Sequence, residues 1–242
     1  MPSLVENPDV TVIVPVRNEG STIQGALACL EGNEASYEAI VIDGASSDET
    51  SAIVAARAEE DRRIRLVSCA EPLTRAQAMN RGIEGSRGRV LLFLHADCRL
   101  PPGALDSATQ AVDAGNAGGG FLKRYDTRSP GLRFSEWGLN QIRTRGMRRL
   151  VGTNAMFCSR MFIQELGGFP DLPLLEDVWL SDHLRSRGSV AILPGPVTVS
   201  ARKYVDDGPV RRTLRNMGIL FRYRCLRTDP EILAELYRRP AP

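Results

Sequence analysis

The sequence predicts an α/β fold: a mostly parallel central sheet flanked by helices, followed by a basic C-terminal helix. Three observations carry this prediction. Short aliphatic, β-branched runs alternate with helix-period segments through the first half of the chain, the pattern of strand–helix–strand units that pair in parallel. The first run, "VTVIVPV" (10–16), is β-branched and apolar enough for a strand covered on both faces. Polar residues gather where the runs stop, and in such sheets ligands collect at the carboxyl ends of the strands.

The elements follow in order. "VTVIVPV" (10–16) is a strand, and "NEGSTIQGALACLEG" follows with Ser21 as a helix N-cap and Ile23, Leu27 and Leu30 on one face. "YEAIVID" (37–43) is a second strand, and Ser46 and Glu49 after it have capping-box spacing. "RIRLVSC" is a third strand, "RAQAMNRGIEG" a helix, and "RVLLFLHAD" a fourth strand ending on His95 and Asp97. Two residues apart on an extended segment, these two side chains face the same way. "GGGFLKRYD" (118–126) reads as a strand entered through a flexible glycine run, and "GLRFSEWGLNQIRTRGMRRL" as a basic helix. Residues 154–188 hold a strand, a helix stopped at Gly167-Gly168, a proline-rich link and a helix opening near Glu176-Asp177. "SVAILPGPVTVS" reads as a strand pair, and "GPVRRTLRNMGILFRYRCL" as an amphipathic helix with Leu214, Met217, Leu220 and Phe221 along one side.

Composition narrows the function. A chain of 242 residues, 43% hydrophobic and 25% charged, fits one soluble domain over 1–242. A net charge of +2 excludes a strongly basic nucleic-acid binder. No apolar stretch reaches the roughly 20 residues of a membrane span, and "MPSLVENPDV" lacks the regions of a secretory signal. Five scattered cysteines form neither a CxxC nor a disulfide framework, so a cytoplasmic location is expected. From Ala201 onward ten basic residues face five acidic ones, which suits peripheral contact with an anionic membrane face, a homodimer face or plain packing.

Four segments, in order, carry a family resemblance: "VTVIVPVRNE", "VIDGASSDET", "FLHADCRLPPG" and "LGGFPDLPLLEDVWLSDHLRSRG". Together they resemble the family 2 glycosyltransferases of GT-A fold, from Val10 to about Arg202. The last two segments are similar to a bacterial subgroup of small family 2 enzymes found near radical-SAM genes. The resemblance implies a nucleotide-binding half over about 8–125 and an acceptor-side half with a helical tail over about 126–242. It further implies inverting transfer of one sugar from a nucleoside-diphosphate sugar, expected to be a UDP-sugar, to a small or lipid-borne acceptor. Pro15, Arg17, Asn18, Glu19, Asp43, Gly44, Arg75, Asn80, His95, Ala96 and Arg202 would then bind substrate. Asp97, with His95, would hold a divalent cation, Mn2+ or Mg2+, against the diphosphate leaving group. Asp177 would be the general base, with Glu176 beside it raising its pKa.

The sequence departs from the family pattern at several positions. His95 replaces the first carboxylate of D-x-D, a weaker match to magnesium than to manganese. Gly44 stands where many members carry a uracil-reading aspartate. Met79 replaces an arginine, leaving Arg75 or Arg81 to supply that charge. The processive Q-x-x-R-W motif is missing, and "VSARKYV" (199–205), with Arg202, Lys203 and Tyr204, stands in a comparable place, which favours a single transfer. These departures motivate one alternative, a non-catalytic nucleotide-sugar-binding relative acting as regulator or scaffold. A nucleotidyltransferase lacks its glycine-rich loop here, and an oxidoreductase its GxGxxG.

Overall fold

The computed structural model describes residues 7–188, 190–202 and 209–238. Lys203 and Tyr204 lie outside the described residues. Eight strands form one sheet: β1 (Val10–Val16), β2 (Tyr37–Asp43), β3 (Ile64–Ser68), β4 (Val90–Phe93), β5 (Cys98–Arg99), β6 (Gly118–Tyr125), β7 (Phe157–Ser159) and β8 (Val190–Val199). Their order is β3-β2-β1-β4-β7-β6-β8-β5. The first four pair in parallel, with Val10 opposite both Tyr37 and Val90. Beyond them β7 runs antiparallel to β4 and β6, and β5 antiparallel to β8, so the sheet is parallel in its first half and mixed in its second.

The parallel half follows the sequence closely because its three inner strands are almost wholly buried; every residue of β2 and β4 is buried, and only the edge strand β3 is partly exposed. Helices α1 (Gly20–Ala28), α2 (Thr50–Glu60) and α3 (Arg75–Glu84) supply the crossovers. One core layer joins Val12, Val14, Ile23, Leu27, Val41 and Leu92; the other joins Ile13, Leu91, Phe93, Phe162 and Leu180. The second half adds α4 (Ala104–Asp113), α5 (Pro130–Gly138) running into a π-helical segment (Leu139–Gly146), a short 3-10 turn (Gly152–Asn154), α6 (Arg160–Glu165) and α7 (Glu176–Ser186). Two further helices, α8 (Pro209–Arg224) and α9 (Pro230–Arg238), pack through Ile219 and Leu233 onto Leu175 and Val178.

Several local expectations are corrected. Helix α1 begins two residues early, with Glu19 at the N-cap position and no side-chain cap, so Ser21 is not its cap. Ser46 and Glu49 form no capping box; α2 starts at Thr50, and Ser46 hydrogen-bonds to Asp43 instead. The capping box belongs to α3, where Thr74 and Gln77 hold each other's backbone. The glycine run 118–120 is paired strand rather than a flexible entry. A Cβ on Gly118 would stand 2.2 Å from the Phe157 carbonyl oxygen and one on Gly119 2.1 Å from that of Ala191, so close strand approach demands the glycines. Residues 190–199 make one strand, not two. On α8, Ile219 is buried and Leu220 packs beside it, whereas Leu214, Met217 and Phe221 are exposed.

Candidate active site

The site lies at the carboxyl ends of β1, β2 and β4. The β1 and β2 loops are tied together by hydrogen bonds. The Asn18 amide donates to Ser46 Oγ (2.9 Å), Ser47 N–H to Asn18 Oδ1 (2.8 Å) and Glu19 N–H to Thr50 Oγ1 (2.9 Å). Asp43, 2% exposed, accepts from Ser46 N–H (3.0 Å), the Ser46 hydroxyl (2.6 Å) and the Ser51 hydroxyl. Asn18 and Ala45 have φ of 54° and 60°. Left-handed backbone costs a non-glycine residue about 1–2 kcal/mol, and such strain tends to gather at functional sites. This network holds two strained turns in place.

A cavity of about 180 Å³ opens beside these loops. Pro15, Arg17, Glu19 and Gly44 line it from the β1 and β2 loops, Thr74 and Arg75 from the start of α3, and His95, Ala96 and Asp97 from the segment after β4. A second, deeper cavity of about 360 Å³ contains Arg75, His95 and Asp97 again, together with Asp177. The two cavities therefore share Arg75, His95 and Asp97 as a common wall, and Asp177 faces only the deeper one.

His95 and Asp97 do come together, but not as neighbours on a strand. Strand β4 ends at Phe93, and the Cys98 amide donates to the His95 carbonyl (3.0 Å), closing a β-turn over 95–98. The Ser200 amide fixes the Asp97 carbonyl at 2.9 Å. The His95 ring packs against Gly152, where a Cβ would stand 2.3 Å from Cε1 and 2.4 Å from Nε2. Gly152 N–H in turn donates to Asp177 Oδ2 (2.7 Å), and Val178 N–H donates to Oδ1 (2.7 Å). Thus His95, Gly152 and Asp177 form a continuous chain of contacts from the first cavity to the second.

Glu176 and Asp177 open α7, and Leu175 before them has φ of 72°, a third strained non-glycine turn at the site. Asp177 lines the cavity; Glu176, 1% exposed, points inward to an ion pair with Arg75 (3.3 Å). Burial pushes the Glu176 carboxyl above the usual range, against the pull of Arg75, and the charge of Asp177 adds to the rise. Glu176 thereby fixes Arg75 where the cavities meet. Met79 is buried in the core, and Arg75 rather than Arg81 lines the cavities.

Besides Glu176, four expected residues stand off the cavity walls. Asp43 and Asn18 belong to the loop network. Asn80 donates through Nδ2 to the Phe169 carbonyl (2.8 Å) and accepts its amide at Oδ1 (2.8 Å), tying α3 to the Gly-Gly-Phe loop. Arg202 is exposed and reaches Ser21 Oγ and Glu19 Oε2, so it touches the first cavity only through Glu19. Sequence reasoning missed Gly152, Lys123, Arg143 and Arg212, all at the deeper cavity or beside it. Lys123 had a legible signal: Phe121, Lys123 and Tyr125 alternate on the inward face of β6. Among the described residues, no three His, Cys, Asp or Glu side chains converge as a ready metal cage.

Comparison with solved structures places this architecture in the GT-A class. A Pyrobaculum calidifontis mannosyltransferase, solved in complex with GDP-Man and Mn2+, matches 98% of this chain and 71% of its own at 23% identity and TM-score 0.67. Staphylococcus aureus TarS 1-349, in complex with UDP-GlcNAc, matches 79% of this chain and 58% of its own at 16% identity and TM-score 0.64. The model of glycosyl transferase family 2 matches residues 11–166, and the chain belongs to that family; it is a glycosyltransferase. An uncharacterised Mycobacterium tuberculosis protein is 32% identical over 90% of this chain and 75% of its own length. The glycosyltransferase AglE of Haloferax volcanii is 28% identical over 68% of this chain, which spans only 57% of that relative.

Proposed function

We propose that this protein moves one sugar from a nucleoside-diphosphate sugar to an acceptor hydroxyl, with inversion at the anomeric carbon. The observation that carries the reading is the pair of cavities meeting at Arg75, His95 and Asp97, with the Asp177 carboxylate on the deeper side alone. The donor occupies the shallower cavity, its base and ribose toward Pro15, Arg17 and Glu19 and its diphosphate toward Thr74 and Arg75 at the N-terminus of α3. A helix N-terminus and a guanidinium both favour phosphate there. Residues before about 125 build most of this donor side, and later residues most of the acceptor side.

Asp97 fits a divalent cation. Magnesium-type ions need only one or two protein carboxylates when substrate phosphates complete the shell, so no three-residue cage is required. Asp97, with His95 on the same turn, would hold Mn2+ or Mg2+, which neutralises charge on the departing diphosphate. The Mn2+ and GDP-Man of the Pyrobaculum calidifontis structure support this reading. On the other side of the wall, Asp177 takes the proton of the acceptor hydroxyl. The acceptor oxygen bonds to the anomeric carbon as the carbon–phosphate-oxygen bond breaks, and its electron pair leaves with the nucleoside diphosphate. The Gly152 and Val178 amides keep Asp177 aimed at the acceptor. Arg75 steadies the leaving group and is itself held by Glu176.

Thermal unfolding with UDP, GDP, dTDP or CMP, in Mn2+ or in EDTA, tests the reading. A ligand at about a hundred times its Kd stabilises by about 2.7 kcal/mol. One nucleotide should raise the melting temperature in Mn2+, and Asp97→Ala should abolish the rise. No rise with any nucleotide would overturn the assignment of the donor cavity.

A further inference from the structure

Building on that reading, we propose that the deeper cavity anchors a phosphate group carried by the acceptor, with Lys123, Arg143 and Arg212 as its ligands. Three separate elements bring these cations to one space: β6, the π-helical segment and α8. Arg75 adds a fourth from the donor side. Among the described residues, the carboxylates on this wall are Asp97 and Asp177, which the proposed reaction uses for the cation and the proton.

Lys123 is the informative member. It is 3% exposed, and among the described residues its Nζ donates to the Tyr125 hydroxyl (3.2 Å) without an ion pair to a carboxylate. A buried ammonium is costly unless an anion compensates it. Burial first, and the nearby charge of Arg143 second, lower its pKa to about 7, and Glu136 and Cys98 pull the other way too weakly to restore it. A lysine buried on the inward face of a strand, with no carboxylate paired to it among the described residues, is a seat for an anion from outside. An acceptor phosphate anchored there presents its hydroxyl to Asp177 across the same cavity.

The phosphate can arrive on a soluble molecule or on a lipid headgroup. The apolar walls, Leu139, Leu174, Val178 and Leu220, accommodate either a short or a long acceptor stem. Helix α5, which runs into the segment bearing Arg143, exposes Phe134 (74%), and α8, which bears Arg212, exposes Leu214 (63%). The two sources are separated by experiment.

Melting is followed with saturating Mn2+ and the nucleoside diphosphate that binds best, so that added phosphate cannot use the donor cavity. The probes are glycerol 3-phosphate and dihexanoyl phosphatidylglycerol below its micelle concentration, with glycerol as the neutral control. Both phosphates should raise the melting temperature and glycerol should not. Lys123→Met and Arg143→Gln should each weaken phosphate binding at least about tenfold, the loss of one charge-assisted contact. Their nucleotide shift should persist, which shows that the variants are folded. Phosphatidylglycerol binding at least about tenfold tighter supports a lipid source, and equal affinities a soluble one. A nucleotide shift without any phosphate shift would overturn this proposal while leaving the donor site intact. Phosphate shifts that survive both variants would overturn it too. Loss of the nucleotide shift in the wild-type protein would instead remove the reading on which it rests.

Discussion

Gly152→Ala perturbs the point where the two cavities, the proposed donor and acceptor sites, are coupled. The backbone at Gly152 does not have positive φ, so alanine is opposed by contact alone. Its methyl carbon would stand 2.3 Å from His95 Cε1 and 2.4 Å from Nε2. Relaxed carbon contacts lie at about 3.5–4.0 Å, so the imidazole or the 152 backbone must yield by roughly 1 Å. If the ring moves, a wall of both cavities moves with it; if the backbone moves, the 2.7 Å bond from Gly152 N–H to Asp177 is lost. Overpacking of this kind costs about 1–3 kcal/mol, and a misplacement of about 1 Å near reacting groups costs on the order of a hundredfold in rate. Release of nucleoside diphosphate from the preferred donor, together with thermal melting, reads both effects. Gly131→Ala is the control, since a methyl there meets nothing within 4 Å. Turnover and melting of Gly152→Ala indistinguishable from the control would refute the coupling.

Asp177→Asn should lower turnover by about 10²–10⁴ in steady-state kinetics, the usual contribution of a general base, while the nucleotide melting shift stays. Glu176→Gln tests the buried carboxylate. Because its folded pKa is raised, the native state binds more protons than the unfolded chain above the ordinary carboxylate pKa, and that part of stability falls as pH climbs to the folded value. Melting from about pH 4 to 8 should show this decline in the wild type and not in the variant. Lys123 has the opposite slope. With its pKa lowered to about 7, the unfolded chain binds the extra proton up to the normal lysine value of about 10.4, so stability rises with pH across that window. Lys123→Met should melt above the wild type near pH 6, and the gap should close toward about pH 10. Asn80→Ala leaves both backbone groups of Phe169 without their side-chain partner and should cost about 1–3 kcal/mol in urea melts, with donor affinity kept.

The sequence made the parallel half of the sheet readable because its inner strands β1, β2 and β4 are covered on both faces, and largely apolar runs such as "YEAIVID" have few other uses. The mixed half was less readable. Its pairings join distant, short segments, such as Phe157–Ser159 against Val90–Leu92, which no local period encodes. The metal-side and base-side segments were legible as motifs, and the structure brings Arg75, His95, Asp97 and Asp177 around one space. Asp43 and Asn80 show where motif reading stops: a polar residue at a strand end or helix face serves loop packing as readily as a ligand, and only the hydrogen-bond partners tell these apart. Ser46 and Glu49 had the spacing of a cap, but the tertiary bond from Ser46 to Asp43 prevailed over the local one. Lys123 was visible in the alternation of β6, whereas Gly152 became meaningful only once His95 and Asp177 were known to flank it.

In the proposed site, Asp97 stands between a donor diphosphate and an acceptor cavity. Crystals grown with the preferred nucleoside diphosphate and Mn2+ test it most directly, by anomalous scattering from manganese. One strong peak is expected about 2 Å from an Asp97 carboxylate oxygen and from the diphosphate, a hard-cation distance, and none in Asp97→Ala. Diphosphate bound with manganese elsewhere, or with Asp97 turned away from it, would refute that placement of Asp97.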